Sequence, residues 1–384
     1  MTTPRALTIV VDDKIPFLRG VLEPYATVVY RDGRRIAPDD VRDADALIVR
    51  TRTVCGPALL ADSRVRFIAS ATIGHDHIDT AFCAARGIAW TNAAGCNAAS
   101  VQQYMGSVLA HRHRAHGLRL RGRTMGIVGV GHVGRRVEQL ARALGMRVLR
   151  NDPPRERDEG DEGFVSLDEL WETADVITLH VPLTRTGRDA TVHLADAARL
   201  GQLRPDQVLI NTSRGEVVDT TALAATLKRR PLAAIVLDVW ENEPAIDREL
   251  MRLVSLATPH IAGYSADGKA NGTAMSVQAI SRAFGLPLNA WTPPDLPAPP
   301  SLALHEDCRG REPEDVLCSL MLATYDPLGD DRALRASPET FEEQRTAHPL
   351  RRDWPVWAVT LTAPPSELIE RVSSLGFRSV TSAP

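Results

Sequence analysis

The chain has 384 residues, 44% hydrophobic and 24% charged, with a formal net charge of -3. That length exceeds one typical core and suits two or three domains of a soluble globular protein. The near-neutral charge argues against nucleic acid or an anionic membrane as partner, and no run of about 18 apolar residues offers a membrane span. The first residues, M-T-T-P-R-A-L-T-I-V-V-D-D, lack the apolar region of a signal peptide. Cys55, Cys83, Cys96, Cys308 and Cys318 are scattered without any C-x-x-C. A cytoplasmic protein with no disulfide framework and no metal site is the expectation.

From the N-terminus, L-T-I-V-V, T-V-V-Y, A-L-I-V-R, R-F-I-A-S and I-A-W-T predict buried parallel strands over residues 5–95. Helices are predicted between them at Pro16–Tyr25 and Ile78–Ala85. Residues 99–114 predict a long helix whose Val101, Tyr104, Met105, Val108 and Leu109 form a buried stripe. His111 and His113 on it point to different faces, and His116 lies at its end, where a cation is favoured anyway. A second alternation begins at Met125, with strands M-G-I-V-G-V, M-R-V-L-R, D-V-I-T-L-H-V, Q-V-L-I-N and A-A-I-V-L-D-V and helices such as Arg135–Leu144 and Thr221–Arg229. After Gly285 a proline-dense stretch excludes helix and predicts an extended linker. Beyond it a helix over 312–324, a strand W-A-V-T-L-T and a helix closed by Gly376 predict a small α+β domain. The fold class is α/β: two Rossmann-like or flavodoxin-like doubly wound parallel sheets in series, plus that small terminal domain.

G-I-V-G-V-G-H-V-G places Gly129, Gly131 and Gly134 between an apolar strand and a helix. Gly129 permits the tight turn, Gly131 lets a pyrophosphate approach the backbone, and Gly134 lets helix and strand pack closely. The helix N-terminus offers N–H groups to phosphates, and Asp152, ending the next strand, suits the ribose hydroxyls. The carboxylate favours NAD over NADP, although Arg155 nearby is within reach of a 2′-phosphate.

Arg214, Glu243 and His260 each follow a different strand of the second unit, where the strand ends of an open sheet line a ligand crevice. A hydroxyl carbon gives up hydride only as its O–H loses a proton, and histidine is suited to take that proton near neutral pH. A neighbouring carboxylate orients the ring, and an arginine fork fixes a substrate carboxylate. Each residue alone has a plainer reading, as a surface ion pair, a helix-start acid or a buried structural histidine. Their spacing behind the glycine loop selects a hydride-transfer site for a 2-hydroxy acid.

N-T-S-R-G-E-V-V-D, L-D-V-W-E-N-E-P and T-P-H-I-A-G resemble the catalytic blocks of the D-isomer-specific 2-hydroxyacid dehydrogenases. S-A-T-I-G-H-D-H-I-D, A-G-C-N-A, N-D-P-P-R, H-I-A-G-Y-S-A-D-G-K-A-N-G-T, A-T-Y-D-P-L-G-D-D, R-R-D-W and L-G-F resemble the branch acting on 4-phospho-D-erythronate in the vitamin B6 pathway. The resemblance implies oxidation of that small phosphorylated 2-hydroxy acid to its 2-oxo product with reduction of NAD. It implies Arg214, Glu243 and His260 as catalytic residues, and Thr51, Thr72 and Tyr264 at the substrate. For the cofactor it implies Gly129, Gly131, His132, Val133, Gly134, Asp152, Val181 through its backbone, Asp238 and Gly263. It divides the chain into a substrate-binding domain over 1–98, completed by about 262–285, and an NAD-binding domain over 99–261. A linker over 286–300 then leads to a domain over 301–384 that forms a homodimer. Arg50, Arg52 and Lys269 are the candidate cations for the substrate phosphate. Ala94, Gln103 and His75 depart from the family's usual residues. Two other readings stay open: a relative acting on 3-phosphoglycerate or hydroxypyruvate/glyoxylate, and an NAD-sensing binding protein.

Overall fold

The computed structural model describes residues 6–230, 234–299, 301–349 and 351–383. Ala233, at the start of a predicted strand, and Pro300, the last residue of the predicted linker, lie outside the described residues. Those up to Asn97 with Ser265–Pro297 form one compact unit, and Ala98–Tyr264 with those from Ala298 onward form another.

In the first unit β1 (Thr8–Asp12), β2 (Thr27–Arg31), β3 (Ala46–Val49), β4 (Phe67–Ser70) and β5 (Ala89–Asn92) make a parallel sheet in the order β2-β1-β3-β4-β5. Every residue of β3 is buried, as expected for a central strand covered on both faces. Val10, Leu47, Val49 and Ile68 serve one apolar cluster, while Ile9, Val11, Ile48 and Ala69 serve the other, with Val277 and Ile280 of the helix Ala266–Phe284. The helix Thr80–Arg86 starts on the Asp79 carboxylate and stops at Gly87, in the left-handed region. The helix predicted over Pro16–Tyr25 is instead a series of turns, because Phe17 (φ 61°) and Gly20 (φ 82°) leave helical space. Leu18 and Leu22 reach the core from those turns. The start of the proline-dense stretch packs here too: Leu286, Leu288 and Trp291 lie against this core, and Ser281 Oγ donates to the Leu286 carbonyl.

In the second unit β6 (Thr124–Val128), β7 (Arg147–Asn151), β8 (Val176–Leu179), β9 (Val208–Asn211), β10 (Ala234–Leu237) and β11 (Leu256–Ala257) pair in parallel in the order β11-β10-β9-β8-β6-β7. The order reverses between β6 and β8, and a ligand crevice belongs at the carboxyl ends there. The helix Ala98–His116 buries its predicted stripe in one apolar cluster with Val137 and Leu140 of the helix His132–Ala143. The C-terminal segment joins that same cluster through Leu317, Trp354, Val359, Leu361 and Val372. Its strands β12 (Ala303–Asp307), β13 (Ala358–Thr362) and β14 (Ser379–Ala383) are parallel, in the order β12-β13-β14. Helices Leu328–Ala336 and Phe341–Ala347, unread in the sequence, lie between β12 and β13. His113 bonds the Leu118 carbonyl and Asp315, so it fastens this segment.

All five cysteines are buried free thiols. Burial pushes Cys55 and Cys318 up to about 12. Among the described residues no helix is long and apolar enough to cross a membrane, and no cluster of His, Cys, Asp or Glu is placed to hold a metal.

Candidate active site

The glycine loop leaves β6 at the reversal point. Gly129 sits at φ 87°, and a Cβ there would lie 2.7 Å from the His180 carbonyl oxygen at the end of β8. A Cβ on Gly134 would lie 2.1 Å from the Gly129 carbonyl oxygen. Neither position tolerates a side chain, so the turn is tight and its helix is drawn close to the strand. Gly131 is the N-cap of that helix, with no side-chain cap and open space where a Cβ would point. His132 is exposed and Val133 half-buried in the first turn. The Asp152 carboxylate, ending β7, accepts from Val130 N at 2.8 Å and Arg155 N at 3.2 Å. It therefore ties the glycine loop to β7 and caps the helix Pro153–Glu159. Arg155 is engaged with Glu159 and the Val130 carbonyl. After β8 the His180 ring meets the hydroxyls of Thr178 (2.9 Å) and Thr212 (3.3 Å), and half-buried Val181 follows. An uncapped helix start, a glycine cradle that side chains would fill and a carboxylate at the neighbouring strand end fit a dinucleotide.

The three predicted catalytic residues come from successive strand ends. Past β9, Asn211 accepts from Ser213 N (3.0 Å) and Ser213 Oγ (2.8 Å), and its amide donates to the Arg214 carbonyl (2.8 Å). Arg214, half-buried, begins the short turn Gly215–Val217. A Cβ on Gly215 would lie 1.9 Å from the Trp240 carbonyl carbon, so this turn presses directly on the segment after β10. There Glu243 Oε1 accepts from Trp240 N (2.9 Å) and Oε2 meets His260 Nδ1 at 2.8 Å. Burial pushes the Glu243 carboxyl up, but the His260 ring, by charge and hydrogen bond, and the Arg345 charge outweigh it and hold it below the usual value. A carboxylate on Nδ1 places the proton there and leaves Nε2 as the acceptor, an assignment from the bonding pattern.

His260 adopts φ 56°, and its N–H donates to the Asp238 carbonyl at 2.7 Å. Asp238 is fully buried, accepting from Thr258 Oγ1 (2.6 Å), Ile261 N (2.8 Å) and Ala262 N (2.9 Å). Burial raises its pKa despite these bonds. Tyr104 OH meets Thr258 Oγ1 at 2.7 Å, which ties the long helix to the same network. Asp238, expected at the cofactor, thus spends both oxygens on the histidine loop. Gly263 and Tyr264 close that loop, with Tyr264 N on the Ile261 carbonyl at 2.8 Å. The Tyr264 ring is flanked by His348 (6.4 Å between centroids) and the Arg345 guanidinium (5.6 Å). Neither neighbour had any local signal in the sequence.

In the first unit Thr51 is exposed just past β3, and Thr72 is half-buried just past β4. Thr72 Oγ1 meets Ser70 Oγ at 2.9 Å, which meets His77 Nε2 at 3.3 Å. Burial drives His77 down to about 4. Arg50 forms two bonds, 2.9 and 3.0 Å, to the fully buried carboxylate of Asp12. That ion pair joins the ends of β1 and β3. Arg52 and Lys269 are half-buried. Of the departing residues, His75 stacks on Trp90 (5.1 Å), Ala94 is half-buried and Gln103 bonds the C-terminal segment.

The sequence profile described as D-isomer specific 2-hydroxyacid dehydrogenase, NAD binding domain, matches residues 88–262, and a domain of unknown function matches 296–376. The first range holds the glycine loop, Asp152, Arg214, Glu243 and His260. An erythronate-4-phosphate dehydrogenase of Bacteroides fragilis is 47% identical, covering 93% of this chain and 100% of its own. One of Bacteroides thetaiotaomicron is 45% identical, covering 90% and 97%. Among solved structures, an NAD+-bound 3-phosphoglycerate dehydrogenase of Entamoeba histolytica aligns with TM-score 0.62 at 26% identity, over 73% of this chain and 97% of that one. NAD is accordingly the cofactor that this domain binds. The chain belongs to the NAD-dependent D-isomer specific 2-hydroxyacid dehydrogenases and, within them, to the erythronate-4-phosphate dehydrogenases.

Proposed function

We propose that the chain oxidises 4-phospho-D-erythronate to (R)-3-hydroxy-2-oxo-4-phosphooxybutanoate, a step of pyridoxal 5′-phosphate synthesis. The observation that carries this reading is the 2.8 Å contact of Glu243 with His260 Nδ1, made by the strand ends of an NAD-binding unit. Bound NAD supplies the hydride acceptor. His260 Nε2 takes the proton of the substrate 2-hydroxyl as the C2–H bond breaks, and Glu243 stabilises the imidazolium that forms. Arg214 offers its fork to the substrate carboxylate.

Asp152 receives the ribose hydroxyls, and the helix start at Gly131, His132 and Val133 receives the phosphates. Gly129, Gly134, Val181 and Gly263 complete the cofactor side, and Asp238 serves it by holding the histidine loop. Thr51, Thr72 and Tyr264 contact substrate. Arg52, Lys269 and Arg50, the last paired with Asp12, are the candidate cations for the substrate phosphate. Residues 1–98 with about 262–285 form the substrate domain, 99–261 the cofactor domain, and the segment beyond the 286–300 linker pairs two copies in the cytoplasm.

Purified protein mixed with NAD and 4-phospho-D-erythronate is expected to produce NADH, with a 2-oxo acid added to recycle any that is retained. Reduction with 3-phosphoglycerate or glycerate alone would overturn the substrate assignment. Binding of NAD with no turnover of any 2-hydroxy acid would favour a sensor.

A further inference from the structure

The loop His260–Tyr264 is held from two sides. Asp238 takes its N–H groups, as described. Its carbonyls need donors as well, since buried backbone acceptors are costly to leave unpaired. Tyr264 N serves the Ile261 carbonyl from within the loop, and further donors come from the C-terminal segment. Arg351 Nη1 donates to the Ile261 carbonyl (3.2 Å), and Nη2 to the carbonyls of Ala262 (2.5 Å) and Ser100 (3.3 Å). Its Nε donates to Gln103 Oε1 (3.0 Å), while the Gln103 amide donates back to the Arg352 carbonyl (2.9 Å). The guanidinium lies 4.2 Å from the centre of the Tyr325 ring. One planar fork thus joins the histidine loop, the long helix and the C-terminal segment, a geometry lysine cannot reproduce.

Three neighbours extend the attachment along 251–264. Asp331 Oδ1 accepts from Ala257 N on β11 at 2.7 Å. Arg335 donates to the carbonyls of Met251 (2.6 Å) and Val254 (2.9 Å). Arg345, paired with Glu342 at 3.0 Å, flanks Tyr264. The loop requires such support, because His260 stands at φ 56°, a conformation that L-residues keep only where their surroundings impose it.

We propose that the C-terminal segment, most of which matches a domain of unknown function, is a clasp on the catalytic loop, with Arg351 the positioning residue that fixes His260. The clasp rests on the reading of His260 as the base, and it assigns the segment a task within each chain, separate from pairing of copies.

Arg351→Met and Arg351→Lys would be compared with wild type, and with Arg309→Met as a control at an exposed arginine of the same segment. The readouts are kcat, NADH affinity by fluorescence and amide exchange by peptide. With Arg351→Met, kcat should fall on the order of 10- to 100-fold, as small misplacements of a reacting group do. NADH affinity should fall far less than kcat, because the glycine loop and Asp152 are not among the partners of Arg351 and only Gly263 of the cofactor residues lies in the loop that it holds. Exchange should quicken at 260–264 and not at 126–134, with Arg351→Lys intermediate. Should Arg351→Met not fold, Arg351→Lys carries the test through the same split. Turnover within about twofold of wild type in the folded variant would overturn the clasp. Equal losses in NADH binding and in glycine-loop protection would overturn it too, since the segment would then merely support the whole unit. A wild type inactive on 4-phospho-D-erythronate strikes the substrate assignment alone. The exchange pattern still decides the clasp in that case.

Discussion

At the scale of single residues, the Glu243–His260 pair divides its labour by atom. Nδ1 is occupied at 2.8 Å by a carboxylate kept below its ordinary pKa, and Nε2 is left for the proton. His260→Ala should therefore lower kcat by roughly 10²–10⁴-fold, the usual worth of a positioned base, while NADH titration shows unaltered binding. Near-normal turnover would remove the base assignment. Asp152 holds the glycine loop and is proposed to select the cofactor, and substitution separates the two. Its two oxygens hold Val130 N and Arg155 N separately, so Asp152→Asn keeps an acceptor for one of them and loses the charge. The ratio of kcat/KM for NAD to that for NADP should fall on the order of 10-fold with little change in melting midpoint, since an unfavourable charge contact is relieved. An unchanged ratio would take Asp152 out of cofactor selection. Arg214, Glu243 and His260 were legible in the sequence because each is a distinctive type at a strand end. Arg345 was not, because the Tyr264 ring it flanks lies far away in the chain and nothing local marks it, and the R-R-D-W block that Arg351 opens gave no sign of the carbonyls it holds.

At the scale of elements, the decisive feature is how closely two turns approach. The Gly215 position meets the Trp240 backbone, so the Arg214 turn and the Glu243 segment share one surface. Gly215→Ala must push them apart. It should cost about 1–3 kcal/mol of stability, as overpacking does, and lower kcat on the order of 10-fold. Chemical denaturation together with steady-state kinetics would show both effects, and wild-type values in each would mean that the turns are free to separate. Strands were the most legible elements, because β-branched runs such as A-L-I-V and V-L-I-N are buried on both faces. The stretch Pro16–Tyr25 misled because its apolar spacing suits a helix, whereas Phe17 and Gly20 turn the backbone left-handed and still deliver Leu18 and Leu22 to the core. Helices Leu328–Ala336 and Phe341–Ala347 are short and charged, which leaves little periodicity to read.

At the scale of the whole molecule, the apolar cluster shared by the cofactor domain and the C-terminal segment makes the two one stability unit. The first unit has its own acid weakness. His77 is buried, and its pKa falls from 6.5 to about 4. The unfolded chain therefore binds this proton more readily than the folded one between those values. The stabilisation is full above pH 6.5 and is lost as pH falls toward 4. Thermal melts across that range should show a steeper decline for wild type than for His77→Gln. Parallel declines would mean that His77 takes up its proton alike in the folded and the unfolded chain. The proline-dense stretch gave no hint that Leu286, Leu288 and Trp291 cover the first unit's core, because proline density speaks only of the backbone.

The five buried thiols have a practical consequence. Cys55, Cys83 and Cys96 report on the first unit and Cys308 and Cys318 on the second. With no thiolate exposed at neutral pH, a thiol-reactive dye leaves the native chain alone and marks each unit only as it opens. Mass spectrometry of labelled peptides then becomes a stopwatch for which half of the molecule lets go first, with no engineered probe.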